Sequence, residues 1–97
     1  MKIIEKIFYY SNLVKDDRKI EDIFIYLMSE AGELAEEINI KNGRSSKPVG
    51  KDGIVGEAVD VILCAFDVIK KNSPEITESE VEEIILKKLQ KWLDSKK

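Results

Sequence analysis

The segment from Ile54 to Ile69 constrains the fold of this chain more than any other part of the sequence. Its residues are almost all apolar or small, and they would occupy most of the circumference of a helix. A helix that is apolar nearly all round must be buried on nearly all sides. Its only charged residues, Glu57, Asp60 and Asp67, fall at steps of three and seven and therefore share one narrow stripe. Because isolated buried carboxylates are costly, these acids require cationic partners, raised pKa values or a bound metal.

The rest of the chain also has helical periodicity. Apolar residues recur at steps of three and four, and strand-type alternation is absent. The four predicted helices are Lys2 to Val14, a segment capped by Asp16 or Asp17 that reaches Lys41, Gly53 to Lys71 with Asp52 as its cap, and Thr77 to the C-terminus. Thr77 and Glu80 form a capping box at the start of the last helix. We therefore expect an all-α, four-helix bundle-like protomer with a single domain over residues 1–97.

Composition excludes several classes of chemistry. The 97 residues contain no histidine, so catalytic zinc sites, Ser-His or Cys-His nucleophilic systems and histidine-containing di-iron bundles are excluded. Acid–base or metal chemistry must then use carboxylates, lysines or water. A net charge of -3 argues against general nucleic-acid binding. A chain this short has a thin core, and we expect it to pair with other subunits.

Other features bear on where the protein resides. The single cysteine, Cys64, cannot form an internal disulfide and is expected to be a small buried hydrophobe. Glu5 and Lys6 interrupt the only early apolar stretch, so no signal peptide is predicted. The longest uncharged run, Ile7 to Val14, is far shorter than a membrane span. These features predict a soluble, cytoplasmic protein without a membrane partner.

The second predicted helix carries its own row of acids. Glu30, Glu33 and Glu37 border its apolar face, whereas Glu36 points towards solvent. If the second and third helices pack antiparallel, the two acidic stripes meet inside the bundle. Carboxylates that converge there without histidine form an all-oxygen site suited to Mg²⁺, with Mn²⁺ as a substitute. Taken alone, the acids of the second helix are more typical of a solvated face, but the third helix surrounds its acids with valine, isoleucine and leucine.

Two short motifs combine these acids. Glu30-Ala31-Gly32-Glu33 and Glu57-Ala58-Val59-Asp60 form an ExxE and ExxD pair separated by 23 residues. Together with the Leu27–Leu34 segment, the lysine-containing loop and the chain length, this pair resembles the MazG-like nucleoside triphosphate pyrophosphohydrolases of the all-α NTP pyrophosphatase superfamily. The resemblance covers most of the chain. It implies Mg²⁺-dependent cleavage of a nucleoside triphosphate between the α and β phosphates, which releases the monophosphate and pyrophosphate, and a role in clearing unwanted nucleotides.

The resemblance also implies roles for individual residues. The four implied metal ligands are Glu30, Glu33, Glu57 and Asp60. Glu33 is the first choice for the general base that takes a proton from water, and Glu37 is the second. Contacts to the substrate are expected from four residues outside both motifs: Lys51, Asp67, Lys88 and Lys91. Of these, Lys51 belongs to a basic loop that either serves solubility or closes over the substrate. Asp67 is expected to orient a ligand, to contact the sugar or to accept from a core lysine.

Two other functions fit the same residues. In the first, the chain is a non-enzymatic dimerisation or interaction module whose acids pair with Lys88 and Lys91. In the second, the fold acts on a different substrate, such as a phosphoribosyl nucleotide. The apolar third helix cannot be covered by the other helices of so short a chain, so we expect assembly into a homodimer or homotetramer.

Overall fold

The computed structural model describes residues 2–14 and 17–96, which contain four helices and no strand. The helices are α1 (Ile3–Leu13), α2 (Ile20–Lys41), α3 (Gly53–Asn72) and α4 (Glu78–Ser95). The prediction of an all-α, four-helix protein is therefore confirmed. The predicted ends of α1, α3 and α4 agree with the structure to within one or two residues, which is the normal uncertainty where helix ends fray.

The start of α2 differs from the prediction. The N-cap is Lys19, so the assignment of Asp17 as the cap is wrong, and Asp16 lies outside the described residues. The acid that serves this helix end is Asp22, whose carboxylate accepts a hydrogen bond of 3.0 Å from the backbone N–H of Lys19. An acid in the first turn satisfies a backbone donor and also faces the positive end of the helix dipole.

The other two predicted caps behave differently from each other. At α4 the capping box is present, because Glu80 N–H donates to Thr77 Oγ1 at 3.2 Å and Thr77 N–H donates to Glu80 Oε1 at 3.2 Å. At α3 the N-cap position is Asp52, but its side chain makes no capping hydrogen bond. The carboxylate of Asp52 is therefore available for another role.

Helix packing centres on α3, which lies against both α1 and α2, while α4 packs against α1. The apolar side chains buried among the described residues are Phe8, Ile23, Cys64 and Val81. Phe8 of α1 packs edge-to-face on Phe66 of α3, with ring centroids 6.0 Å apart. The Lys70 Nζ lies 5.0 Å from the centre of the Phe8 ring, so a cation–π contact adds to this small core.

The four helices of one chain do not close around α3. Val55, Val59, Ile62 and Leu63 are between 43% and 77% exposed, although a helix this apolar is expected to be covered. The radius of gyration is 15.8 Å, against about 13 Å for a compact domain of similar length. Among residues 2–14 and 17–96, no helix has the length and apolar character needed to cross a membrane.

Replacement of Ile23 tests the assignment of this core. Ile23→Ala should lower the free energy of unfolding by about 2 to 5 kcal/mol, because Ile23 is 1% exposed. Ile25→Ala removes the same atoms from a side chain that is 67% exposed, and it should change that free energy by less than about 0.5 kcal/mol. Urea denaturation at low protein concentration measures both variants. Equal losses in the two variants would contradict the assignment.

Candidate metal centre

The acids of α2 and α3 meet because the two helices run antiparallel. Glu37 accepts a hydrogen bond from Gly50 just before α3, Glu33 interacts with Glu57, and the charge of Glu30 acts on the Cys64 thiol. Residues further along α3 therefore lie beside residues earlier in α2. The predicted antiparallel pairing of the two acidic stripes is therefore present. The short connection from Asn42 to Asp52 allows this arrangement.

Two groups of carboxylates lie close enough to hold a metal ion. Oxygens of Glu30, Glu33 and Glu57 lie within 4.8 Å of one another, and so do oxygens of Asp52, Glu57 and Asp60. Glu57 belongs to both groups. We call these five residues the acidic cluster. It contains all four of the residues that the sequence motifs select, together with Asp52.

Two oxygens of the acidic cluster are buried without a hydrogen-bond partner among the described residues. They are Oε2 of Glu30 and Oε2 of Glu57. The whole Glu30 residue is only 7% exposed, so solvent does not compensate for the missing donors. A buried acceptor without a partner carries the full cost of its lost hydration. A cation between these carboxylates would remove that cost, and the all-oxygen donor set fits Mg²⁺ or Mn²⁺.

Burial and neighbouring negative charges raise the pKa values of two acids in the cluster. Burial, and after it the charge of the neighbouring Glu33 carboxylate, raise the pKa of Glu57 to about 7. Burial and the charge of Glu33 also raise the pKa of Glu30. Tyr26 hydrogen-bonds to Glu30, and this interaction raises the pKa of the Tyr26 phenol. Without a metal, the cluster therefore relieves its charge repulsion by holding protons.

Asp52 is the member of the cluster that the sequence pattern predicted only as a helix cap. Its position depends on Gly53, which has a φ of +66° and turns the chain into α3. It also depends on Gly56, because a Cβ atom at that position would collide with the side chain of Asp52. A glycine in the first turn of an otherwise apolar helix has a packing reason, and Gly56 is the signal in the sequence that could have identified Asp52.

Glu37 lies beside the cluster but holds the loop between α2 and α3. Its Oε1 accepts a hydrogen bond of 2.7 Å from the backbone N–H of Gly50, and the residue is 8% exposed. Glu36 points away from the cluster with 40% of its side chain exposed, and there it accepts a hydrogen bond of 3.1 Å from Ser45 and lies 3.7 Å from the Lys47 ammonium. Adjacent acids of α2 thus fix the loop that carries Asp52.

The predicted substrate-binding residues are dispersed in the single chain. Lys51 is exposed in the loop between Gly50 and Asp52. Lys88 lies at a cavity of about 490 Å³ between α3 and α4, and Lys91 is exposed. Because α4 packs on α1 and not on α2, neither of these lysines joins the acidic cluster within one chain.

Asp67 also lies outside the acidic cluster. Its Oδ2 forms an ion pair of 2.8 Å with Nη2 of Arg18, a residue that the sequence motifs did not select. The pairing spans 49 residues of sequence, so no local pattern predicts it.

Comparison with protein-family models, with curated proteins and with solved structures finds no match to this chain.

The raised pKa values predict how the stability of the metal-free protein depends on pH. Glu57 binds a proton more tightly in the folded state than in the unfolded state, so its contribution is complete below about pH 4.5 and is lost as the pH rises through about 7. Stability should therefore decline across this range, and Glu57→Gln should make the decline smaller. Urea denaturation in the presence of EDTA at several pH values measures this. The control Glu83→Gln should keep the wild-type slope, and an unchanged slope in Glu57→Gln would refute the assignment.

A second prediction concerns the loop. A Cβ atom at position 50 would collide with Glu37 Oε1, so Gly50→Ala should break their hydrogen bond and lower the free energy of unfolding by about 1 to 3 kcal/mol. Gly32→Ala is the matched control, because no atom lies within 4 Å of the added methyl group. In the middle of α2 this change should stabilise the protein by up to about 1 kcal/mol. Thermal denaturation compares the two variants. If Gly50→Ala leaves the stability unchanged, the hydrogen bond between Gly50 and Glu37 does not hold the loop.

Proposed function

We propose that this protein is a Mg²⁺-dependent nucleoside triphosphate pyrophosphohydrolase of the MazG-like type. It would cleave between the α and β phosphates and release a nucleoside monophosphate and pyrophosphate. The observation that carries the proposal is the pair of buried carboxylate oxygens, on Glu30 and Glu57, that have no hydrogen-bond partner among the described residues. A cluster serving only structure would satisfy these atoms with donors, as buried polar groups normally are.

The composition of the cluster supports a triphosphate substrate. Glu30, Glu33, Glu57 and Asp60 would hold the metal, and Asp52 adds a fifth carboxylate from the loop. When bound, Mg²⁺ supplies positive charge that offsets the phosphates and makes water easier to deprotonate. Without such a cation, five acids would repel the several negative charges of a triphosphate. The proposal therefore accounts for an acidic site that binds an acidic substrate.

Glu33 is the best candidate for the general base. It is exposed to solvent, so water can reach it, and its charge acts directly on Glu57. Glu37 is the weaker candidate, because its carboxylate already accepts the hydrogen bond from Gly50. A base must be within hydrogen-bond reach of the water that it deprotonates. Glu33 can take this role with the carboxylate oxygen that does not bind the metal.

The phosphate-binding lysines come from different places in this proposal. Lys51 belongs to the same chain and precedes Asp52 directly. Lys88 and Lys91 would have to come from a second copy, since α4 does not pack on α2. Assembly into a homodimer or homotetramer is part of the proposal for this reason. The exposed apolar side chains of α3, such as Val55 and Val59, support it, because pairing would cover them.

The exposed apolar surface also favours a second candidate, a non-enzymatic interaction module. That hypothesis pairs the acids with Lys88 and Lys91, yet among the described residues neither lysine forms an ion pair with the acidic cluster. It also does not explain why the buried oxygens of Glu30 and Glu57 have no hydrogen-bond partner among the described residues. The enzyme hypothesis explains more of the structure.

Substitution of the cluster distinguishes the two functions. Glu57→Gln and Asp60→Asn should each lower the rate of pyrophosphate release by roughly 100-fold or more, because each removes a ligand charge. Both variants should fold, and Glu57→Gln should gain stability without metal above about pH 7, where the wild-type Glu57 carries a buried unpaired charge. The control Glu83→Gln lies on the surface of α4 and should keep full activity.

The readouts are pyrophosphate release from a panel of nucleoside triphosphates and thermal denaturation with and without Mn²⁺. Mn²⁺ should stabilise the wild-type protein and should have much less effect on the two cluster variants. An interaction module would show no pyrophosphate release and no stabilisation by metal. That pair of results would eliminate the enzyme hypothesis.

A further inference from the structure

Tyr26 lies outside both sequence motifs but beside one of the acids that they select. It precedes Glu30 by four residues on α2, so the two side chains are neighbours on one face of the helix. Tyr26 is 55% exposed, whereas Glu30 is 7% exposed. A hydrogen bond joins the Tyr26 phenol to the Glu30 carboxylate, and the phenol is the donor because an ionised carboxylate can only accept. A half-exposed side chain therefore holds a buried acid.

The hydrogen bond from Tyr26 leaves Glu30 with an oxygen that a metal could take. Oε2 of Glu30 is buried and has no hydrogen-bond partner among the described residues. Oxygens of Glu30, Glu33 and Glu57 lie within 4.8 Å of one another. Glu30 thus combines a contact that holds it from the exposed side of α2 with an unused acceptor beside the other acids.

The Glu30 carboxylate needs such a contact to keep its place. Its side chain has three rotatable bonds, and the negative charges of Glu33 and Asp60 act on it. Like charges repel, so without a donor the carboxylate would turn away from the other acids when no cation is bound. In metal sites, hydrogen bonds from groups that do not touch the metal orient the carboxylates that do. The Tyr26 hydroxyl stands in that relation to Glu30.

We propose that Tyr26 is a positioning residue of the metal centre, and that its hydroxyl keeps the Glu30 carboxylate within reach of Glu33 and Glu57. Because it needs a cation at the acidic cluster, this role rests on the proposed function. Tyr26 itself binds neither the metal nor the phosphates. Its hydroxyl sets how tightly the cluster binds the ion. A chain with all four motif acids would therefore bind the metal weakly if this hydroxyl were missing.

Replacement of Tyr26 by phenylalanine tests this role, because Tyr26→Phe removes the hydroxyl and keeps the ring. It should raise the dissociation constant for Mn²⁺ by about tenfold or more, since Glu30 is no longer held in place. Isothermal titration calorimetry of the full chain with Mn²⁺ measures this. Tyr9→Phe is the matched control, because it removes the same hydroxyl from a tyrosine of α1 that is 52% exposed. It should bind Mn²⁺ like the wild type.

Two further variants test whether the donor itself matters. Tyr26→Gln places an amide donor one turn before Glu30, and it should recover part of the lost Mn²⁺ affinity. Tyr26→Leu is similar in size to Tyr26→Gln but has no donor, and it should bind Mn²⁺ as weakly as Tyr26→Phe. Wild-type affinity in Tyr26→Leu would overturn the inference.

A merely structural role for Tyr26 gives a different pattern. In EDTA, Tyr26→Phe should unfold at nearly the wild-type temperature, but Mn²⁺ should stabilise it less. With saturating Mn²⁺ it should approach the wild-type rate of pyrophosphate release, whereas at limiting Mn²⁺ it should be slower. A lower unfolding temperature in EDTA together with wild-type Mn²⁺ affinity would assign Tyr26 to the fold alone and overturn the inference.

Calorimetry with Mn²⁺ does not depend on turnover, so it separates the role of Tyr26 from the proposed function. Wild-type Mn²⁺ affinity in Tyr26→Phe would overturn the role of Tyr26 even if the wild-type protein releases pyrophosphate. Failure of the proposed function gives a different result. In that case the wild-type protein binds Mn²⁺ more tightly than Tyr26→Phe does, but neither protein releases pyrophosphate from any nucleoside triphosphate.

Discussion

The burial of carboxylates between α2 and α3 is the constraint on which the rest of this structure depends. Glu30 and Glu57 each bury an oxygen that no donor among the described residues satisfies. Their neighbours are other acids, so packing the two helices brings like charges together. The metal-free protein can tolerate this only by protonating some of them, as the pKa of about 7 for Glu57 indicates. Cation binding would convert this unfavourable arrangement into a stable one, and it would therefore couple folding to metal binding.

The connection between α2 and α3 makes this arrangement specific. Glu37 accepts a hydrogen bond from the N–H of Gly50, and Glu36 accepts one from the hydroxyl of Ser45. Two adjacent acids of α2 therefore hold the loop that leads to α3. Asp52 follows two residues after Gly50 and reaches Glu57 and Asp60. The loop is thus part of the site and not only a linker. A functional group on a loop needs such an anchor to hold a useful geometry.

The sequence predicted the helices and four members of the cluster because both depend on local spacing. Helical periodicity places Glu57 and Asp60 on one face of α3, and the capping box of Thr77 and Glu80 is a local motif. The role of Asp52 depends on the backbone turn at Gly53, which residue spacing does not describe. The contact of Arg18 with Asp67 joins residues far apart in sequence. Such contacts arise only when helices pack, so no pattern along the chain reveals them.

The incomplete burial of α3 in the single chain follows from the composition of α3. α3 presents its acids to α2, and its remaining apolar surface exceeds what α1 and α4 can cover, as the exposure of Val59 and Ile62 shows. Mutually repelling acids weaken the α2–α3 contact, and a core with so few buried residues cannot offset much repulsion. In the proposed function, two external sources of free energy stabilise α3: a cation at the acidic cluster and a second subunit on the apolar face of the helix. Because each stabilises the same helix, binding of either one should strengthen binding of the other.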